Sequence, residues 1–369
     1  MNTPDNFNLN ADDHKPLVVC ESESPVCNMQ AFVEKSDSTY YFYLFEPIKK
    51  IMKVCWICNR KPAPLTFDPD SMKNGNAPMM TADSICHAAG GIDLDDKNLS
   101  IVWFEQGTSA ALLCGDDLIC VIPEWSGYKD FHGYSKYAVG TGRYAWEMKN
   151  AADSLMLRVE KGRKLWHNFG TIAASRKYMM SQLPEVLKFL SVHGNDFDIS
   201  KNRFPTKAVV SGSRNNTCYC LTIGASLAAM PNIEMYVGEK YTDYQRTEFG
   251  FAAGSKFRQL LQPMAGVLGN YTEYPWNEYT FFAHGHTIPF SKLKGFEAVL
   301  FVNPDMTDDI ENPVYPRFQD GTKVNLLWIV PLTKAEYDFA VEHDAETMLS
   351  RAKNINTLHI FDGSPKFNI

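Results

Sequence analysis

The sequence predicts an α+β (mixed α/β) protein of two domains: a mainly antiparallel β domain, then a mixed sheet with flanking helices. Three observations predict it. A chain of 369 residues exceeds what one compact core usually holds. Its apolar pattern has a period of two up to about residue 148, and after Tyr144 the period changes to about 3.6. Late in the chain, Ala298–Val302 and residues 324–330 are unbroken apolar runs of strand length, the pattern of central strands covered on both faces.

Each element follows from its local pattern. Residues 1–25 are polar, acidic and aperiodic and read as a loose tail, so order is expected to begin near Gln30. Residues 30–35 and 39–45 are β-branched and aromatic segments around Ser36, Asp37 and Ser38, the pattern of a hairpin. Residues 52–58 give a third strand, and the proline-rich stretch 62–78 a surface loop. Strands follow at 99–104, Ala110–Cys114 and 118–122, with Gly115 and Asp116 turning between the last two. Leu155, Val159, Gly162, Trp166 and Phe169 share one helical face, as do Met179, Leu183, Val186 and Leu190, and Pro184 predicts that the second helix starts or kinks there. Strands at 206–210 and Thr217–Ile223 precede a helix carrying Phe257, Leu260, Leu261, Met264 and Leu268. Thr333 and Glu336 stand at capping-box spacing, opening a helix that turns Tyr337, Ala340 and Val341 inward, with a restart at Asp344. The expected domains are 26–148 and 149–355, with a C-terminal tail at 356–369.

Composition narrows the function classes. The 43 acidic residues against 36 basic give a net charge of −7, which disfavours nucleic acid as a partner. No run of about 18 apolar residues and no signal-peptide pattern occurs, so a cytoplasmic protein with no membrane partner is expected. Nine cysteines, scattered in apolar surroundings, read as reduced thiols. Cys55 and Cys58 form a C-x-x-C, but three residues apart on a strand they are expected to point to opposite faces. Cys20, Cys27, Cys55 and Cys58 are therefore expected to be thiols without metal, and Cys86 and His87 do not complete a convincing ligand set. Cys218 and Cys220 read as core thiols. Phosphate loops and nucleophile elbows are absent, and Asp93, Asp95 and Asp96 suit a solvated turn better than a calcium loop. No cofactor and no metal are expected.

Two constellations remain. His284 and His286 flank Gly285; in an extended segment both rings point the same way, and Gly285 admits a close approach by a ligand. A metal-assisted hydrolase centred on this pair, with Glu273 or Glu278 as ligand or base, is the alternative to a binding role. The other constellation is aromatic. Trp125, Tyr128, His132 and Tyr134 crowd a glycine-rich loop just ahead of the expected domain boundary, and aromatic residues on irregular loops suit partner contacts. With His284, His286 and Phe290 they are the candidate partner-binding residues.

Five blocks of the second half, in order, resemble the suppressor of fused family of bacterial and animal proteins. They are Thr222-Ile223-Gly224-Ala225-Ser226, Glu248-Phe249-Gly250-Phe251, residues 277–289 around His284-Gly285-His286, residues 298–304, and residues 325–333 with Glu336. The resemblance covers roughly residues 150–355, and residues 28–148 look like the extra N-terminal domain of some bacterial members. It implies a protein-binding module without catalysis. Animal members accept a short peptide as an added strand to hold a transcription factor, and bacterial members suggest immunity proteins that neutralise a toxin. The implied partner is a protein or peptide. The resemblance carries over no contact residue, and oligomeric state stays open.

Overall fold

The computed structural model describes residues 16–70, 76–191, 197–199, 204–307 and 309–369. The fold is α+β, and contacts divide the chain into two units, 1–164 and 165–369. In unit 1, β1 (Leu17–Glu23), β2 (Gln30–Lys35), β3 (Thr39–Glu46) and β4 (Ile51–Asn59) form an antiparallel sheet in that order. The β2–β3 turn closes because the Ser36 hydroxyl accepts from the N–H groups of Ser38 and Thr39, at 3.3 and 3.0 Å. Order begins earlier than Gln30. β1 joins an apolar half, residues 17–20, to a polar one, residues 21–23, and has no fully buried residue; it pairs by its backbone with β2, and four apolar residues in a row carry no alternation to read. The Lys73 to Gly75 part of the expected 62–78 loop lies outside the described residues.

A second sheet follows the order β5 (Leu99–Trp103), β6 (Ala110–Cys114), β7 (Asp117–Ile122), β8 (Tyr134–Ser135), β9 (Trp146–Glu147). Helix α1 (Ala152–Phe169) lays Leu155 and Val159 onto Phe104, Ala111 and Val121. The division between the units falls within α1.

Unit 2 opens with α2 (Ile172–Leu190), whose first turn is capped by the Thr171 side chain accepting from the Ala174 N–H at 3.2 Å. The helix starts at Ile172, not near Pro184, which lies inside it. Pro184 is exposed, and the carbonyl it leaves without a helical donor belongs to Met180, on the same 38% exposed flank, where water can serve it. Next come β10 (Phe197–Ile199), β11 (Ala208–Arg214), β12 (Thr217–Ile223), α3 (Ile233–Val237) and β13 (Thr247–Gly254). They are followed by α4 (Leu261–Tyr271), α5 (Tyr274–Glu278), β14 (Thr287–Pro289), β15 (Ala298–Val302), β16 (Asn325–Leu332), α6 (Lys334–Glu342), α7 (Ala345–Ser350) and β17 (Ile360–Phe361).

The strand order is β10-β11-β12-β13-β16-β15-β14, with β17 beside β13. β13 runs parallel to β16 and to β17, and the remaining pairs are antiparallel. The two apolar runs are neighbours, Phe301 opposite Ile329, and every residue of β15 and β16 is buried. Met179, Leu183 and Val186 of α2 pack on this sheet with Val210, Leu221 and Trp328.

The expected capping box is present. The Glu336 N–H donates to Thr333 Oγ1 at 3.4 Å, and the Thr333 N–H donates to Glu336 Oε2 at 2.8 Å. Tyr337 and Ala340 pack on the core, but Val341 is 65% exposed: one residue beyond Ala340 turns about 100° around the helix, and Phe339 takes the inward place. The expected C-terminal tail is part of the core as well. Glu336 Oε1 accepts from the N–H groups of Lys366 and Phe367 at 2.6 and 2.8 Å, and the Phe367 ring is buried. One carboxylate therefore caps α6 and fastens the chain's end. No helix among the described residues is long and apolar enough to cross a membrane.

Candidate functional site

A buried polar network lies beneath the 222–226 turn. Strand β13 alternates so that Arg246 and Glu248 face the same side, both 0% exposed. Glu248 accepts from Thr222 Oγ1 at 2.7 Å, Ser226 Oγ at 2.6 Å and the Ser226 N–H at 3.0 Å. Gln182 reaches in from α2, its Oε1 accepting from the Gly224 N–H at 2.6 Å and its Nε2 donating to Ser226 Oγ at 2.9 Å. Arg246 donates to the Ser226 and Leu227 carbonyls and lies 3.7 Å from the Phe318 ring centre. Burial pushes the Glu248 carboxyl up, opposed by the hydrogen bonds it accepts. Gly224 adopts φ +91°, and a Cβ there would sit 2.5 Å from the Thr206 carbonyl oxygen. Every polar group is satisfied and none faces solvent, so the network fixes the turn and offers no group for chemistry.

The histidine pair has a different geometry from the one its spacing suggests. His284 and Gly285 lie in a turn, Gly285 at φ +83°, with a strand only from Thr287. His284 Nδ1 accepts from the Asn303 N–H at 3.0 Å, while the His286 ring packs 5.0 Å from Phe281. The rings therefore serve different neighbours, and burial lowers the pKa of both. Gly285 does admit a close approach, but by Ala345 of α7: a Cβ on Gly285 would come within 2.3 Å of the Ala345 methyl. Among the described residues, no three His, Cys, Asp or Glu side chains are placed to hold a metal ion.

What this segment offers a partner is a sheet edge. β14 ends the strand order. The Phe301 N–H donates to the His286 carbonyl and the Phe290 N–H to the Glu297 carbonyl, so by alternation the backbone groups of Thr287 and Pro289 face away from β15. Pro289 has no N–H to offer. Tyr236 of α3, 75% exposed, has its ring 4.7 Å from Phe281, whose ring lies 5.0 Å from His286, the residue before β14. Phe290 is buried at 7% exposure.

In unit 1, Tyr128 is 57% exposed with Lys129 Nζ 5.1 Å from its ring centre, and half-buried Trp125 carries Arg158 at 5.6 Å. His132 Nδ1 is 3.1 Å from the Val54 carbonyl, and the Tyr134 ring lies 4.9 Å from Phe131 in the core beside α1. The loop thus presents Tyr128 and part of Trp125, while His132 and Tyr134 hold it in place.

The cysteines need one correction. Tyr41 opposes Trp56 and Tyr40 opposes Cys58, so Ile57 is an extra residue in β4. This bulge resets the alternation and puts Cys55 and Cys58 on one face, opposite Phe42 and Tyr40. Both are buried, and burial raises the Cys58 thiol pKa. His87 Nε2 instead accepts from the Asn59 N–H at 3.2 Å, and none of the nine cysteines is in a disulfide. Sequence reasoning missed Gln182 and Arg246. The signal available was a run of polar residues, 245–248, opening a strand that is otherwise apolar.

Residues 206–364 match the family model of Suppressor of fused protein (SUFU). This SUFU-like segment contains the 222–226 turn, β13, the histidine turn, the β14 edge and the capping box. No curated protein matches the chain. Among solved structures, the Sufu-Fu complex crystal structure is similar over 52% of this chain and 91% of that chain, at 11% identity and a TM-score of 0.38. A likeness at that level transfers no residue.

Proposed function

We propose that the chain is a non-enzymatic protein-binding module whose SUFU-like segment captures a partner protein or peptide. The observation that carries this reading is the SUFU match itself. It is supported by a sheet edge with outward backbone groups at Thr287, and by exposed Tyr236, which packs on Phe281 ahead of that strand. Main-chain pairing supplies affinity in such a site and side-chain pockets supply selectivity. Trp125 and Tyr128 of unit 1 are the alternative surface for a partner. His132, Tyr134 and Phe290 act as support. A toxin sequestered by an immunity protein and a regulator held inactive both fit; an adjacent toxin gene whose product the protein neutralises would separate them.

The test uses a partner captured by the full chain, identified, purified and titrated back. Thr287→Pro removes the outward N–H, and Tyr236→Ala removes the neighbouring ring. Each should weaken binding at least tenfold with the fold retained. Unchanged binding in both, with loss in a folded Trp125→Ala, Tyr128→Ala double variant, would move the site to unit 1. Turnover of the partner would overturn the non-enzymatic reading.

A further inference from the structure

We propose that two copies of the chain pack face to face through the outer surface of the β1–β4 sheet, forming a two-fold dimer. Register and alternation sort this sheet into two faces. Ala31, Val33, Phe42 and Leu44 point inward and are 0% exposed. The opposite face carries Phe32, Tyr43 and Val54 in one row across the strands, with Glu21 at the β1 end. The next row holds Phe45 and Met52, with Glu23 and Gln30 on the β1 side. A sheet face left to water alternates polar residues into such positions, yet β2, β3 and β4 put five apolar or aromatic ones there. Phe32 and Tyr43 stack with ring centres 5.0 Å apart and 12° between their planes, so the first row is flat. Tyr144 packs on Tyr41 at one end of the face. The other end is open, with Met52 58% exposed and Ile48, in the turn beyond it, 74%.

Charge decides what covers this face. Acid lies on the β1 side, in exposed Glu21 and Glu23 and in Glu34, which is hydrogen-bonded to the Tyr43 hydroxyl. Base lies on the β4 side, where exposed Lys50 stands in the turn just ahead of the strand. Lys53 turns inward instead, donating to the Glu124 carbonyl at 2.8 Å. A patch acidic on one flank and basic on the other is complementary to itself when turned over, whereas a partner of uniform charge would be repelled by one flank. A two-fold axis along the strands, between β2 and β3, lays β1 of one copy over β4 of the other. Phe32 then meets Tyr43 of the second copy, Gln30 meets Phe45, and Glu23 comes beside Met52 and the turn that carries Lys50. Aligned strands are one of the two standard packings of sheets face to face, and contiguous apolar patches are uncommon on proteins that stay monomeric. The surface lies outside the SUFU-like segment, and the dimer does not depend on the function proposed for that segment.

The test is sedimentation velocity of the full chain from about 1 to 100 μM, with thermal melts to confirm that each variant folds. A monomer–dimer equilibrium is expected. Met52→Asp, at an exposed position, should weaken dimerisation at least tenfold, about 1.4 kcal/mol. Glu23→Lys and Lys50→Glu should each weaken it severalfold, and the variant carrying both changes should recover most of the loss. Tyr236→Ala, in unit 2, should dimerise as the unaltered chain does. The proposal is overturned if the chain stays monomeric at about 100 μM, a weak limit for an interface of two whole sheet faces. It is also overturned if a folded Met52→Asp dimerises unchanged, which would put the contact elsewhere, or if the double charge swap is no better than the single changes. Should Met52→Asp melt early, the charge swap decides alone: recovery supports the face-to-face dimer and its absence refutes it.

Discussion

Two charged clusters, one in each unit, sit in opposite settings. In unit 2, Arg246 and Glu248 are wholly buried, and their partners come from α2, the 222–226 turn and the segment around Phe318. In unit 1, Lys35 and Arg60 meet Asp96 and Asp93 at the surface, where the Asp93 side chain is 62% exposed. A buried network stands or falls as a whole, because removing one member strands the others away from water. Surface pairs give way singly, since water replaces whichever partner is lost.

Denaturant melts of four variants and a pH series test that contrast. Glu248→Ala should cost about 3–5 kcal/mol by leaving a buried network without its acceptor; a loss under about 1 kcal/mol would show that water reaches the turn. Trp328→Ala should cost a similar amount, about 3–5 kcal/mol, through the cavity left in a strand with no exposed residue. Acid supplies the third effect. Burial and nearby Lys366 hold His359 down at about 4, against an ordinary value near 6.5. Between those values the unfolded chain binds a proton that the folded chain refuses, so stability falls as pH drops from 6.5 to 4 and the loss levels off below that. The loss should approach about 3 kcal/mol, and His359→Gln should flatten that part of the profile. His284 and His286, also lowered by burial, act in the same direction, whereas Glu248, raised by burial, acts in the opposite one. Thr333→Ala should cost about 1 kcal/mol through its cap. Asp93→Ala should cost under about 1 kcal/mol, and less in high salt.

The elements that could be read from the sequence were those whose cause is local. Thr333 and Glu336 announce their helix because both partners of the cap lie within one turn. Ala298–Val302 needs only its own composition to be placed inside the sheet. What stayed hidden depends on distant chain. The Ile57 bulge exists only against Tyr40 and Tyr41, so the spacing of Cys55 and Cys58 pointed to the wrong geometry. Gly285 was singled out for the approach of a ligand, but the group packed against it is Ala345, which lies far along the chain. Likewise β1 becomes a strand only by pairing with β2. In the candidate site, the segment from His284 to Phe290 was visible, but Tyr236 and the outward register of Thr287 needed the folded sheet.

The proline at the end of β14 sets a limit on self-association. A second molecule laid along this edge could exchange both of its main-chain bonds only at Thr287, because Pro289 has an outward carbonyl and no donor. Copies of the chain would therefore not zip together along it into growing fibrils. Any strand added here must bring side-chain contacts of its own to stay, so the edge favours a selective addition over repeated stacking.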